Sequence, residues 1–369
     1  MNYEYFTSES VAAGHPDKVC DQISDAVLDA ALEADPKSRV AVETLVTINQ
    51  VCLAGEVTCP KPLDYEAIVK GVIKRLGYTN PALNFTDQSP INVYIHQQSP
   101  DIAMGADING AGDQGMMFGY ACNETKELMP LPIMLSHRLV EVMDSLRENQ
   151  KIPCLRPDGK SEVKVRYENG RPVAVETVVL AVPHDQCVTK EELQKQLYEL
   201  AVKPVIEQYG FAIEESQCIL NGTGKWEIGG PSTDTGVTGR KIIVDSYGGM
   251  ARIGGGAFSG KDPTKVDRSG AYGARFVAKN IVANGLADRC EVQLAYVIGL
   301  AQPITIAIET FGTEKQDIKT IEDFAGKLLD LSVKGIIEGL NLRQPIYEKT
   351  AAYGHFGREK FPWEKVATL

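Results

Sequence analysis

Residues 163–182 read VKVRYENGRPVAVETVVLAV. Asn169-Gly170 lies between two runs rich in valine, a strong signal for a two-residue hairpin turn. Strands are predicted at 163–167 and 173–182. Working outward, a helical segment at about 132–148 precedes the hairpin. After it, Thr189 with Glu192 makes a capping box for a helix reaching about residue 208. A short strand at Ile219 closes the unit.

The same order recurs on both sides. Toward the N-terminus a helix opens at Pro16, a residue tolerated in the first turn. Val19, Ile23, Val27 and Ala30 follow at near-helical spacing until Asp35-Pro36 stops the pattern. Strand-like runs at 39–48 and 51–58 come next. A helix then runs from Asp64, a good N-cap, to Gly77, a good C-terminal stop, before a strand at 91–96. Toward the C-terminus the reading gives a strand at 242–245, a helix at 267–283, strands at 291–298 and 304–310, and a last helix at 321–340. Three similar α+β domains account for this threefold order, although no residue-level repeat accompanies it. A single α/β domain with an appendage is the competing arrangement, because strand order is not written in a sequence. Glycine-rich segments at 105–119, 221–239 and 248–260 read as loops, and their charges make them candidate sites.

Composition narrows the function. The 369 residues exceed the usual limit of a single core, so two or three domains are expected. With 38 basic against 49 acidic residues the net charge is −11. That makes the chain a poor general binder of nucleic acid or anionic membranes. A polyanionic substrate must therefore meet a local cluster of Lys and Arg. Eight cysteines form no Cys-x-x-Cys pair and no zinc-like spacing, which fits reduced thiols in a cytoplasmic protein. No signal-peptide pattern opens the sequence, and no apolar run is long enough to span a bilayer.

Several segments carry chemistry. In residues 8–18, SESVAAGHPDK, His15 and Asp17 fall at the start of the first helix, where free N–H groups and the dipole favour an anion. An Asp there can hold Mg2+ bridging a phosphate, while His15 and Lys18 bond its oxygens; plain helix capping is the competing role. Residues 254–268 read GGGAFSGKDPTKVDR. Gly255 to Lys261 satisfy half of a phosphate-binding loop, but Asp262 replaces the hydroxyl that should reach Mg2+ and would repel the phosphate. A Walker A loop is therefore rejected, while Lys261, Lys265 and Asp267 remain a phosphate-and-metal set. Arg240 and Lys241 lead into the apolar run at 242–244, and Asp158 with Lys160 lies in a turn. Glu43, in the apolar strand at 40–48, either meets solvent or binds a cation. Asp113 sits among three glycines, as in a backbone lying close to a ligand or in a surface turn.

Taken together, FTSESV at 6–11, GHPDK at 14–18, GAGDQG at 110–115, residues 254–268 and TAAYGHFGR at 350–358 resemble the S-adenosylmethionine synthetase family, bacterial type, along essentially the whole chain. The resemblance implies three domains of shared βαββαβ-like topology around a pseudo-threefold axis, bounded at 1–101, 109–227 and 228–369. It implies a methionine adenosyltransferase, in which the methionine sulfur displaces tripolyphosphate from C5′ of ATP and the tripolyphosphate is then hydrolysed to pyrophosphate and phosphate. Two Mg2+, at Asp17 and Asp267, and one K+, at Glu43, are implied per site. His15 would contact the oxygen of the breaking bond. Lys160, Arg240, Lys241, Lys261 and Lys265 would surround the polyphosphate, with Ala257 and Asp158 also on the ATP side. Glu56, Gln98, Asp234, Lys265 and Ile298 would border methionine, and Asp113 would sit near the sulfur. A cytoplasmic homo-oligomer is implied, usually a tetramer of tight dimers with sites at the dimer interface.

Two departures stand out. Thr223-Gly224-Lys225-Trp226 replaces the common Thr-Gly-Arg-Phe, so Trp226 would stack on adenine and Lys225 would take the Arg role with less bidentate capacity. The segment at 102–109, the family's mobile active-site cover, is several residues short. A non-catalytic nucleotide-binding subunit of the same fold predicts loss of the charged site residues, which are all present here. An ATP-dependent kinase or ligase predicts ADP or AMP as product.

Overall fold

The structure is a computed structural model that describes residues 4–97, 110–186, 188–222, 224 and 226–367. Its strands are β1 (Tyr5–Val11), β2 (Arg39–Thr47), β3 (Gln50–Thr58), β4 (Ile91–His96), β5 (Gly115–Cys122), β6 (Lys160–Glu168), β7 (Arg171–Ala181), β8 (Cys218–Leu220), β9 (Gly236–Val237), β10 (Arg289–Tyr296) and β11 (Thr305–Glu309). Its helices are α1 (Pro16–Ala34), α2 (Tyr65–Arg75), α3 (Leu131–Glu148), α4 (Lys190–Leu197), α5 (Lys203–Gln208), α6 (Ile242–Asp245), α7 (Val266–Ala283), α8 (Ile318–Leu328) and α9 (Val333–Gly339). The hairpin at the centre of the chain forms as its sequence requires: Asn169 and Gly170 have φ of 52° and 76°, the positive values that a tight β-hairpin turn needs.

These strands make three sheets, ordered β4-β3-β2-β9, β8-β7-β6-β1 and β11-β10-β5. Each is built on an antiparallel hairpin. In the first two sheets the outer strand, β4 or β8, joins in parallel. The opposite edge of every sheet is filled from elsewhere in the chain. β1, from the first third, completes the second sheet; β5 completes the third; β9, from the last third, completes the first. The exchange is cyclic, and it gives the α+β architecture its pseudo-threefold character.

One long helix backs each sheet: α1 on β2, α3 on β1 and β6, α7 on β5 and β10. All three are buried over most of their length, including polar residues on α1 and α7 that must find internal partners. Where α7 crosses β5, Gly119 leaves no room for a side chain. A Cβ there would lie 2.0 Å from the carbonyl carbon of Ala274.

The structure differs from the sequence reading in four places. β1 was not anticipated. Residues 115–119, expected in a loop, belong to β5, because Gly119 is a packing residue rather than a turn. Residues 242–245, expected as a strand, form the helical turn α6. Their apolar run is too short to pair, lies between the left-handed Gly239 and Gly248, and closes with a bond from Asp245 N–H to Lys241 O. The last helix is two, because Ser332 caps α9 by accepting from Gly335 N–H and is itself held by Asp330. The helix expected at 189–208 is continuous but widens into a π-helical turn at Tyr198–Val202, just before Pro204, which has no N–H to give the ladder.

Replacing Gly119 by Ala forces backbone apart at the centre of the third sheet. We expect a loss of about 3 kcal/mol of stability, the upper end of what overpacked cores usually cost. The expectation fails if thermal unfolding of Gly119→Ala coincides with that of the unmodified protein.

Candidate active site

The charged residues gather at the N-termini of α1 and α7. His15 is the N-cap of α1, 2% exposed, and its Nδ1 accepts from Asp17 N–H at 3.2 Å. Because Nδ1 accepts, the proton of the neutral ring sits on Nε2, which is left as a donor. Burial first, and then the positive charge of Lys241, push this imidazole down to about 3. The ring is therefore neutral at ordinary pH. Asp17, in the first helical turn, accepts from Lys241 Nζ at 2.5 Å and from Val237 N–H at 3.0 Å. Burial opposes its charge, but these bonds outweigh it and hold the carboxyl below the usual range.

Asp267 occupies the matching place on α7 and pairs with Lys261 Nζ at 2.6 Å. The glycine loop lies directly on this carboxylate: a Cβ at Gly256 would fall 2.3 Å from Asp267 Oδ1. Lys265 pairs with Asp262 at 2.5 Å. Asp262 is fully buried and also accepts from Val40 and Thr264 N–H. It is turned into the protein, so the phosphate repulsion expected from its position in the loop does not arise. The two loops meet where Gly239 approaches Ala257; a Cβ on the glycine would lie 2.5 Å from the alanine methyl. Lys18, expected to face an anion, points inward instead. It is fully buried between Asp21 and Asp245, which raise its already high pKa against the cost of burial.

The other candidates are more dispersed. Asp158 is buried, with its oxygens fastened to Gly159 and Gly230 N–H at 2.7 Å each, and burial pushes its carboxyl up to about 6. It thus holds the turn that presents the exposed Lys160 at the start of β6. Trp226 is half-buried, and its indole N–H donates to Ile228 O at 2.9 Å, fixing the ring. Arg240 and Asp234 are exposed. Glu43 is exposed on β2, Glu56 meets His96 at 3.2 Å, and Asp113 accepts from Gln114 N–H at 2.7 Å. Ile298 is 61% exposed and bridges to Ala111. Among the described residues no hydrogen bond or ion pair joins Glu43, Glu56, Asp113 or Ile298 to the lysine–aspartate cluster. Gln98, Lys225 and the segment 102–109 lie outside the described residues.

Models of the S-adenosylmethionine synthetase N-terminal, central and C-terminal domains match residues 3–100, 108–226 and 228–365. The chain is 51% identical to the S-adenosylmethionine synthase of Clostridium tetani, over 99% of this chain and 97% of that protein. It is also 51% identical to the S-adenosylmethionine synthase of Treponema denticola, over 98% and 96%. The chain belongs to the S-adenosylmethionine synthetase family.

Within this synthetase fold the sequence reading missed Asp21 and Asp25, fully buried on the same helix as Asp17. Their signal was present as a four-residue spacing, but acidic residues on a helix ordinarily read as a solvated face. Among the described residues no group of three or more His, Cys, Asp or Glu could hold a metal ion. Isolated carboxylates of this kind suit Mg2+, which is usually bound by one or two carboxylates plus substrate phosphates.

The lowered pKa of His15 favours its uncharged form. Side-chain NMR of the ligand-free protein should keep this ring in the neutral Nε2–H form from about pH 8 to about pH 5, where a free imidazole gains its proton near 6.5. A titration near pH 6.5 would contradict the placement of the ring.

Proposed function

We propose that this chain is a methionine adenosyltransferase. The sulfur of L-methionine displaces tripolyphosphate from C5′ of ATP, giving S-adenosylmethionine, and the tripolyphosphate is hydrolysed to pyrophosphate and phosphate. The observation that carries the reading is the pairing of Lys241 with Asp17 and of Lys261 with Asp267 at two adjoining helix N-termini, in a chain of this family. Such a site suits a polyphosphate with its cations. It has no need of a general base, since a thioether sulfur attacks without losing a proton. What remains is alignment of sulfur, C5′ and leaving oxygen, and stabilisation of the leaving charge.

His15, neutral and with Nε2–H free to donate, bonds the oxygen of the breaking bond without adding charge. Lys160, Arg240, Lys241, Lys261 and Lys265 surround the phosphates, with Ala257 and the turn at Asp158 beside them. Trp226 stacks on adenine and Lys225 flanks it. Glu56, Gln98, Asp234, Lys265 and Ile298 border methionine, and Asp113 offsets positive charge developing on sulfur. Asp17 and Asp267 would each hold one Mg2+ and Glu43 one K+; bound there, the cations neutralise the polyphosphate. Lys241 and Lys261 pair with Asp17 and Asp267, the carboxylates that would hold the cations, so each ammonium would pass from carboxylate to phosphate when the substrate binds.

The same reading places the folding units at 1–101, 109–227 and 228–369, each borrowing one strand. It makes the protein a cytoplasmic homo-oligomer, a dimer of dimers with sites at the dimer interface. Free thiols at Cys20, Cys52, Cys59, Cys122, Cys218 and Cys290 support a reducing compartment, and no described helix is long and apolar enough to cross a membrane. Leu45, Val93, Tyr94, Met116 and Ile306 leave apolar surface exposed on the first and third sheets. Asp113 and Ile298 are also exposed, as a site completed by a second copy requires.

Incubation with ATP, L-methionine, Mg2+ and K+ should yield S-adenosylmethionine by mass, with phosphate and pyrophosphate in equal amounts. ADP or AMP without a sulfonium product would move the chain to the kinases or ligases, and bound ATP without turnover would make it a non-catalytic subunit. Asp17→Asn and Asp267→Asn should each raise the Mg2+ concentration for half-maximal rate by about tenfold or more, the scale of one lost charged contact. Unchanged Mg2+ titrations would remove these carboxylates from the metal sites.

A further inference from the structure

Helix α1 carries aspartates at 17, 21, 25 and 29, four residues apart and so along one face. Each accepts backbone N–H from a residue between 237 and 348. Asp17 takes Val237 at 3.0 Å, Asp21 takes Gly239 at 2.8 Å and Asp25 takes Gly260 at 2.8 Å. Asp29 takes both Tyr347 and Glu348 at 2.9 Å. Asp21 and Asp25 also have internal cations, Lys18 at 2.8 Å and Arg268 at 2.6 and 2.8 Å. Ion pairing balances the charge of these two carboxylates but leaves acceptor capacity on them unused. The further bonds go to two glycines that share a φ of +79°, a left-handed conformation costly for any other residue. They are also the glycines next to the phosphate-facing lysines: Gly239 stands two residues before Lys241, and Gly260 directly before Lys261. The helix therefore grips both loops at their sharpest bends.

We propose that Asp21 and Asp25 are positioning residues: by gripping the Gly239 and Gly260 amides they set Lys241 and Lys261 in register with Asp17 along a single helix. This inference rests on the reading of the site as the place where polyphosphate departs. Neither carboxylate touches substrate. Their effect passes through backbone to the lysines, where a shift of about 1 Å is enough to cost on the order of 100-fold in rate.

The test compares Asp21→Ala with Asp21→Asn. Both remove the charge facing Lys18, and only Asn keeps an oxygen for Gly239 N–H. The Ala variant should lose about 30- to 100-fold in kcat with the methionine KM within about threefold, whereas Asn stays within about fivefold of the unmodified kcat. Equal kcat losses in two variants of equal unfolding temperature would overturn the proposal. Site-resolved amide exchange gives a readout independent of turnover. Gly239 should exchange at least about tenfold faster in the folded Ala variant while Gly260 is unchanged, and unaltered protection of Gly239 would also overturn it. If Asp21→Ala does not fold, the unmodified protein decides: Gly239 and Gly260 amides should be protected to within about tenfold of Val27 and Leu28 on α1, and exchange about 100-fold faster would show that the helix does not hold them. Absence of S-adenosylmethionine from the unmodified protein would instead overturn the functional reading and leave the exchange result standing.

Discussion

The contact on which the rest of the molecule depends is the pairing of Asp25 on α1 with Arg268 on α7. Both side chains are fully buried, and the carboxylate meets the guanidinium through both oxygens. Charges removed from water in this way are tolerated only when every donor and acceptor is used. Here they are: Arg268 also donates to Tyr272 Oη, Thr350 Oγ1 and Lys261 O, and Asp25 also accepts from Gly260 N–H. Loss of either partner would strand the other in an apolar interior, so the relative position of the two helices is fixed by an interaction that has no partial version. Because each helix brings one site carboxylate at its N-terminus, the spacing between Asp17 and Asp267 is inherited from a contact outside the site.

The site itself is neutralised from within. In an acidic protein, a site proposed to receive a polyanion would be expected to show bare lysines. Instead Lys241, Lys261 and Lys265 each hold a carboxylate. Such pairing lowers the cost of keeping several like charges close together before a ligand arrives. Lysine suits the proposed role, since its flexible stem would let one ammonium serve two acceptors in turn, where an Arg fork would be held by the first.

Much of the fold was legible because local signals and tertiary demands agreed. The Asn169-Gly170 turn, the Asp64 and Thr189 caps and the long α1 and α7 patterns all formed near their predicted places. Where they conflicted, tertiary context won. Gly119 looks like a loop residue and is a helix-crossing residue, and residues 242–245 have strand composition but no strand to pair with. β1 escaped notice because its partner, β6, is more than 140 residues away. The candidate site was legible as a set of residue types but not as a geometry. Nothing local distinguishes Lys18, which is buried between Asp21 and Asp245, from Lys241, which pairs with Asp17 at the head of α1, and nothing marks Asp262 as turned inward.

The cyclic exchange of edge strands bears on how the chain is made. The first sheet cannot be finished until residues 236 and 237 exist, because β9 is the strand that covers the edge of β2. A nascent chain leaving a ribosome therefore cannot complete its domains one after another. The hairpin of the first third must wait, with an open edge that invites pairing with another chain, while most of the rest is synthesised. Contacts so distant in sequence also make for slow folding. The architecture that brings all three thirds of the polypeptide around one centre thus concentrates the hazard of misassembly in the interval before the last third appears.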